Sequence, residues 1–186
     1  MSFLKKLFYR LAKKVKIAAG ARLKGFGNIR FGRSVRIEAG CQIDARDGSV
    51  TFGDGVTLSP FVIIESRGGC IEIGEGTSIN HFSVLYGHGG LKIGKKCLIA
   101  SKATFIPANH VYDDPNVLIK KQGETRKGIT VGDDVWIGTG VTVLDGVTIG
   151  DGCVIGAGSV VTKSLPAYCV AVGVPARAVK SRGKNS

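Results

Sequence analysis

A large apolar residue returns at every sixth position along most of this chain, a spacing that fits neither an amphipathic helix nor simple strand alternation. Six local patterns start the repeat: FGRSVR at Phe31, FGDGVT at Phe52, IGEGTS at Ile73, IGKKCL at Ile93, VGDDVW at Val131 and IGDGCV at Ile149. Their starts lie 21, 21, 20, 38 and 18 residues apart. Two more apolar residues follow each start in steps of six: Ile37 and Ile43, Leu58 and Ile64, Ile79 and Leu85, Ile99 and Phe105, Ile137 and Val143, Ile155 and Val161. Four residues after each of these eighteen positions stands Val, Ala, Cys, Ser, Thr or Gly, except at Asp47, Asn109 and Leu165.

Three such hexads make one triangular coil of three short strands. The large residue fills the prism interior, and the small one fits where two walls converge. Glycine, aspartate and asparagine serve corners that need positive φ. Stacked coils then pair as parallel strands about 4.8 Å apart, so six coils span about 29 Å. The 28 glycines argue against a helical bundle, since each interior glycine costs a helix about 1 kcal/mol. The expectation is an all-β parallel β-helix of six to seven coils over residues 17–166. A long excursion at 111–130 accounts for the wide gap before Val131, and a basic segment, 167–186, closes the chain.

The net charge of +12 is uneven. Residues 1–16 carry six Lys or Arg and no acid, residues 177–186 carry four and no acid, and 17–176 hold 16 basic against 14 acidic residues. This argues against a nucleic-acid-binding core and for two local basic devices. The opening MSFLKKLFYRLAKKVK reads as an amphipathic helix over 1–16, with Phe3, Leu4, Leu7, Phe8 and Leu11 at helical spacing. Such a helix either caps the open end of the prism or touches an anionic membrane surface. No apolar run approaches the ~18 residues of a membrane span, and the N-terminal apolar residues are interrupted by Lys and Arg, unlike a signal peptide. Five cysteines without a CxxC pair suit a reduced cytoplasmic compartment, and the membrane reading of the N-terminal helix, if it holds, sets it at the inner face of the cytoplasmic membrane. Cys41, Cys97 and Cys153 occupy the small interior slot and read as core filler rather than nucleophiles.

The stretches IGKKCLIASKATFIPANH, QGETRKGITVGDDVWIGTGVTVLDGVTIGDGCVIGAGSVVTKSLP and VGVPARAVK resemble the hexapeptide-repeat acyltransferases. The similarity runs over about residues 17–180 and is strongest to bacterial sugar O-acetyltransferases of the galactoside, maltose and nodulation types, and to those of colanic acid and O-antigen assembly. It implies a left-handed coil, acetyl-CoA as donor, no metal, a homotrimer, and a sugar or lipid-linked glycan of the cell envelope as acceptor.

Acyl transfer to a hydroxyl needs a base and donors for the oxyanion. Histidine is the natural base near neutral pH, and the chain has three: His81, His88 and His110. The resemblance assigns the base to His110, where the excursion leaves the coil, acceptor binding to Asn80, and a loop carboxylate to Glu124. His81, His88, Tyr112, Asp113 and Asp114 are further acceptor-side candidates. On the donor side it places Trp136 and Thr139 beside the pantetheine arm, and Gly138, Ala157, Gly158 and Thr162 along a backbone-lined path. Lys163, Arg177 and Lys180 would meet the phosphates. Lys180 stands where relatives often carry arginine, and it offers a point charge instead of a bidentate fork. The main alternative is N-acetylation of an amino sugar or other small amine; a non-catalytic β-helix scaffold would not need Asn80, His110 and the loop set. A zinc enzyme of the γ-carbonic anhydrase type shares the fold, but histidine gaps of 7 and 22 supply no close ligand pair.

Overall fold

In the computed structural model, residues 13–183 are described. Most of the helix expected over 1–16 therefore lies outside the described residues. Its last part is not helical: Lys13 and Lys14 form a turn, and Lys16 begins the first strand. The physical reason lies in register, because Lys16 and Ile17 pair in parallel with Arg36 and Ile37 and so already belong to the solenoid wall. Among the described residues there is no α-helix, and no helix is long and apolar enough to cross a membrane.

The chain winds about seven times around a triangular prism. One coil suffices to describe it: Ser78–Ile79 lies on the first face, Val84–Tyr86 on the second and Leu91–Ile93 on the third. The three faces are parallel sheets of nine, seven and six strands, apart from one antiparallel strand that ends the first. That last strand, Arg177–Ser181, folds back on Cys169–Val172, which itself pairs in parallel with Val154–Ile155.

The sixfold period is the packing period of the interior. All eighteen hexad positions, Phe31 through Val161, are at most 2% exposed. Phe31 and Phe52 stack one coil apart, with ring centroids 5.5 Å from each other. Cys41, Cys97 and Cys153 are buried as expected. Burial pushes the Cys41 and Cys97 thiols up, and burial together with the neighbouring Cys153 pushes Cys169 up to about 11. These are inert, apolar-like thiols.

The small-residue slot departs from expectation at the corner between the second and third faces. Asp47, Gly68, Gly89 and Asn109 stand outside the core, and Val50, Ile71, Leu91 and Ile129 fill the interior there instead. Extra residues push this corner outward, so the chain re-enters the prism a few positions later. The acidic residues at the third corner also act differently from expectation. Asp54, Asp133 and Asp151 accept backbone N–H bonds of 2.7–2.8 Å from Arg33, Lys95 and Asp133 of the preceding coil. Positive φ falls on the residue after each: Gly55, Asp134 and Gly152.

Because Leu85 is fully buried in the middle of this stack, Leu85→Ala should cost about 2–5 kcal/mol. At roughly 2–4 °C per kcal/mol for a chain of this size, thermal melting should show the midpoint falling by about 4–20 °C.

Candidate active site

The excursion is a hairpin rooted in the fifth coil. It leaves the second face after Ile106, and Asn109–His110 then pairs antiparallel with Glu124–Thr125, placing His110 directly opposite Glu124. The Val111 N–H donates to the Gly123 carbonyl at 3.0 Å and extends the pairing by one step. Direct opposition on an antiparallel pair brings side chains to one side of the ribbon. His110 Nδ1 lies 3.8 Å from Glu124 Oε1, beyond hydrogen-bond length but within ion-pair range. The other carboxylate oxygen, Oε2, accepts two N–H bonds from Arg126 at 3.0 and 3.1 Å. Arg126 thus holds Glu124 so that its second oxygen faces the imidazole. Chiefly through that contact, the Arg126 guanidinium keeps the Glu124 carboxyl below the usual carboxylate range, and His110 and His88 reinforce the shift.

His110, Lys120, Gly123, Glu124 and Arg126 line an open cavity of about 260 Å³. One coil earlier, at the same corner, stands His88. Its Nδ1 is buried and makes no hydrogen bond among the described residues, and its ring meets the Tyr86 ring edge-on at 5.7 Å. Burial, then the charges of Arg67 and Arg126, lower the His88 pKa against the opposing pull of Glu124, which favours a neutral imidazole. Arg67 lies 4.6 Å over the Tyr86 ring and pairs with Glu65 at 2.7 Å. His88 therefore shares the corner of His110, as its placement among glycines suggested.

The remaining excursion candidates divide. Tyr112 is 70% exposed, and Asp113 is exposed beside it. Asp114 instead holds the loop together: its side chain accepts the Asn116 N–H at 2.9 Å, while its backbone exchanges bonds of 2.8 and 3.1 Å with the Gln122 amide. Gln122 also donates to the Val117 carbonyl. The return limb is pinned by Asp145, whose carboxylate accepts bonds of 2.9 Å from Thr125 Oγ1 and from the Lys127 and Gly128 amides.

Other expected site residues lie elsewhere on the prism. Asn80 sits at the corner between the first and second faces, where its Oδ1 accepts a 3.2 Å bond from Ser59 Oγ. Within one prism Asn80 and His110 are thus at different corners, with a three-residue strand of the second face, about 10 Å, between those corners. His81 is exposed next to Asn80, its ring 6.3 Å from Phe82. The corner of Asn80 continues upward through Gly138 and Thr139 to Ala157 and Gly158, linked by the Gly158 N–H to Thr139 O bond of 2.8 Å. Trp136, 53% exposed, precedes that corner on the first face. Thr162 and Lys163 stand at the His110 corner of the last coil, and Arg177 and Lys180 are exposed on the final strand. Gly138 has a structural reason to be glycine, because a Cβ there would come within 2.6 Å of the Ala157 nitrogen. Gly158, at φ 71°, faces open space.

Sequence reasoning passed over Arg126, Lys120, Arg67 and Asp145. Arg126 carried a readable signal, since residues two apart on a strand share a face and Glu124 is in a strand here. Arg67 carried the same signal through Glu65, two residues away, whereas Asp145 gave none, because Thr125, Lys127 and Gly128 lie 17–20 residues away and meet it only through coil stacking.

Comparison with known proteins bears on this arrangement. The bacterial transferase hexapeptide family (six repeats) matches residues 128–163. A hexapeptide-repeat containing acetyltransferase from Vibrio cholerae is 31% identical, over 69% of this chain and 72% of that one, with a TM-score of 0.60. The chain belongs to the hexapeptide-repeat acetyltransferases. The V. cholerae protein has also been solved in complex with acetyl-CoA. A maltose O-acetyltransferase from Clostridium difficile is 26% identical over 98% of this chain and 78% of its own, with a TM-score of 0.54. In fold alone, an N-acyltransferase from Bacillus cereus superposes with a TM-score of 0.65, at 22% identity over 96% of this chain and 88% of its own. A probable acetyltransferase of Mycobacterium tuberculosis is 36% identical over 92 residues, which cover half of this chain and 31% of that protein. The match thus spans about a third of that relative's length.

In this hexapeptide-repeat protein, Asp145 ties the returning limb of the hairpin to the next coil by three bonds. Hydrogen bonds to a charged group contribute about 1.5–3 kcal/mol each when well formed. Asp145→Ala should therefore loosen residues 125–128, with faster amide hydrogen exchange there and little change in the coils before Ile93.

Proposed function

We propose that this chain transfers an acetyl group from acetyl-CoA to a hydroxyl of a sugar in a cell-envelope polysaccharide or its precursor. The observation that carries the reading is the His110–Glu124–Arg126 array, built on a hairpin that interrupts an otherwise regular solenoid. A base held opposite an ionised carboxylate suits proton removal from a hydroxyl, because the imidazolium formed is stabilised by Glu124. The acetyl-CoA complex of the V. cholerae relative and the acceptor named for the C. difficile relative support the donor and the sugar class.

In this reading His110 takes the hydroxyl proton as that oxygen attacks the thioester carbonyl. The carbon–sulfur bond then breaks, and the thiol of CoA leaves with the proton returned from His110. The transfer is direct in this reading, with no acyl-enzyme, and Cys41, Cys97, Cys153 and Cys169 are buried in the prism. Trp136, Gly138, Thr139, Ala157 and Gly158 border the donor along one corner, Thr162 and Lys163 meet it at another, and Arg177 and Lys180 hold its phosphates. Asn80, at a different corner from His110, completes the pocket from a neighbouring prism of a homotrimer, with one site at each of three clefts.

His110→Ala should lower kcat by roughly 10²–10⁴, about 3–5 kcal/mol, and leave the KM for acetyl-CoA nearly unchanged. Arg177→Ala should instead raise that KM with a smaller effect on kcat. Thiol release measured against sugars and amino sugars checks both, and preferred turnover of a free amine would replace O-transfer by N-transfer. Near-wild-type turnover by His110→Ala would remove His110 as base. The shared site has its own check: His110→Ala and Asn80→Ala should each lose most activity, yet their co-expression should restore about a quarter of the wild-type sites by random assortment. Absence of any restoration would place both residues in one subunit's pocket.

A further inference from the structure

The charge of this prism is segregated by coil, and the segregation is sharper than the basic N-terminal tail alone. Every ionisable side chain from Lys13 to Ile37 is cationic: Lys13, Lys14, Lys16, Arg22, Lys24, Arg30, Arg33 and Arg36. With Lys5, Lys6 and Arg10, the first 37 residues carry eleven Lys or Arg and no acid. Residues 38–176 hold eleven Lys or Arg against fourteen Asp or Glu, a net charge of −3. The last ten residues, 177–186, add four more Lys or Arg and no acid, so residues 38–186 together are near neutral at +1, and most of the excess positive charge lies at the N-terminal end of the solenoid.

The fold spreads these cations around that end on every side. Lys16 and Arg36 lie on the first face, Arg22 and Lys24 on the second, Arg30 on the third, and Lys14 and Arg33 at the corner between third and first. All seven are exposed, whereas Lys13 is half-buried and donates to the Phe31 carbonyl at 2.8 Å. Arg33 is ion-paired to Asp54. Lys16 and Arg36 stand directly side by side in parallel register, a like-charge contact that opposes folding unless an anion offsets it. Inside the collar, Ile17 and Leu23 are only partly buried where they pack against the core. The adjoining sequence, residues 1–12, supplies Phe3, Leu4, Leu7, Phe8 and Leu11 among three cations.

We infer that the first coil is a docking end for an anionic lipid bilayer, against which the prism stands with its axis toward the membrane. A ring of cations around an apolar centre matches a planar anionic surface with an apolar interior. A nucleic-acid duplex would instead favour a stripe along one face. The remainder of the chain, +1 over residues 38–186, offers no comparable attraction, so charge also favours this end facing the surface. The arrangement carries the hairpin site of the fifth coil about four strand spacings, roughly 19 Å, from the bilayer surface.

The experiment uses the full chain and vesicles of phosphatidylcholine with or without phosphatidylserine. Sedimentation should show binding to the phosphatidylserine vesicles only, with release at about 1 M salt, where the screening length falls to about 3 Å. The variant K16Q/R22Q/K24Q/R30Q/R36Q keeps residues 1–12 and should lose roughly tenfold or more of this binding, each cation near an anionic surface contributing up to about 1 kcal/mol. R22Q/R30Q should lose an intermediate amount, and it tests the collar even if the fivefold variant does not fold. K92Q/K95Q/K96Q, altered in the middle of the prism, should bind as the wild type does. Undiminished binding by both collar variants would assign the affinity to residues 1–12 and overturn the inference. Failure of the intact protein to bind phosphatidylserine vesicles would do the same, whether or not it retains duplex DNA.

Discussion

Every feature of this protein depends on backbone hydrogen bonding between successive coils. A single coil is three strands of two to four residues, too short to persist alone. Stacked, each strand pairs above and below, and the corner amides join the same ladder, as in the Gly140 N–H bond to Ser101 O and the Gly158 N–H bond to Thr139 O. That ladder demands close approach at the corners, where a Cβ on Gly138 or Gly32 would collide with the backbone of the next coil. The hexad side chains then fill the interior that the ladder encloses, and they contribute most of the hydrophobic stabilisation.

Regularity of this kind leaves few places to build a site. Exposed strand residues on a flat wall do not converge, so convergence needs an irregularity. Here it is the hairpin between Ile106 and Ile129. Its two limbs face His110 with Glu124 across an antiparallel pair, while Arg126 and Asp145 hold the returning limb by charge-assisted bonds. The rigid coils beneath supply the fixed base such a loop needs to position a side chain. His88, one coil away at the same corner, shows how stacking multiplies the residues available to one site.

The solenoid also sorts charge along its axis. Sequence position becomes height along the prism, so a cationic N-terminal stretch becomes a cationic end, not a patch dispersed over a globule. Few other folds convert a segment's composition so directly into a pole of the molecule. The same mapping keeps that pole apart from the hairpin.

The sequence by itself determined the solenoid, its interior and the location of the excursion. Those depend on a local period, and every hexad from Phe31 to Val161 faces inward because steric fit repeats with each turn. It also marked His110 and Glu124 through a family likeness that the fold accommodates. Tertiary structure alone decided which corner each residue occupies, and so that Asn80 and His110 stand apart while His88 and His110 share a corner. It decided, too, that Asp145 anchors the hairpin, that Val50 and Ile71 replace Asp47 and Gly68 in the core, and that seven exposed cations surround the first coil and the start of the second. The physical reason is that corner loops differ in length from coil to coil. A local repeat specifies what turns inward, but only the accumulated register of stacked coils specifies which outward residues become neighbours.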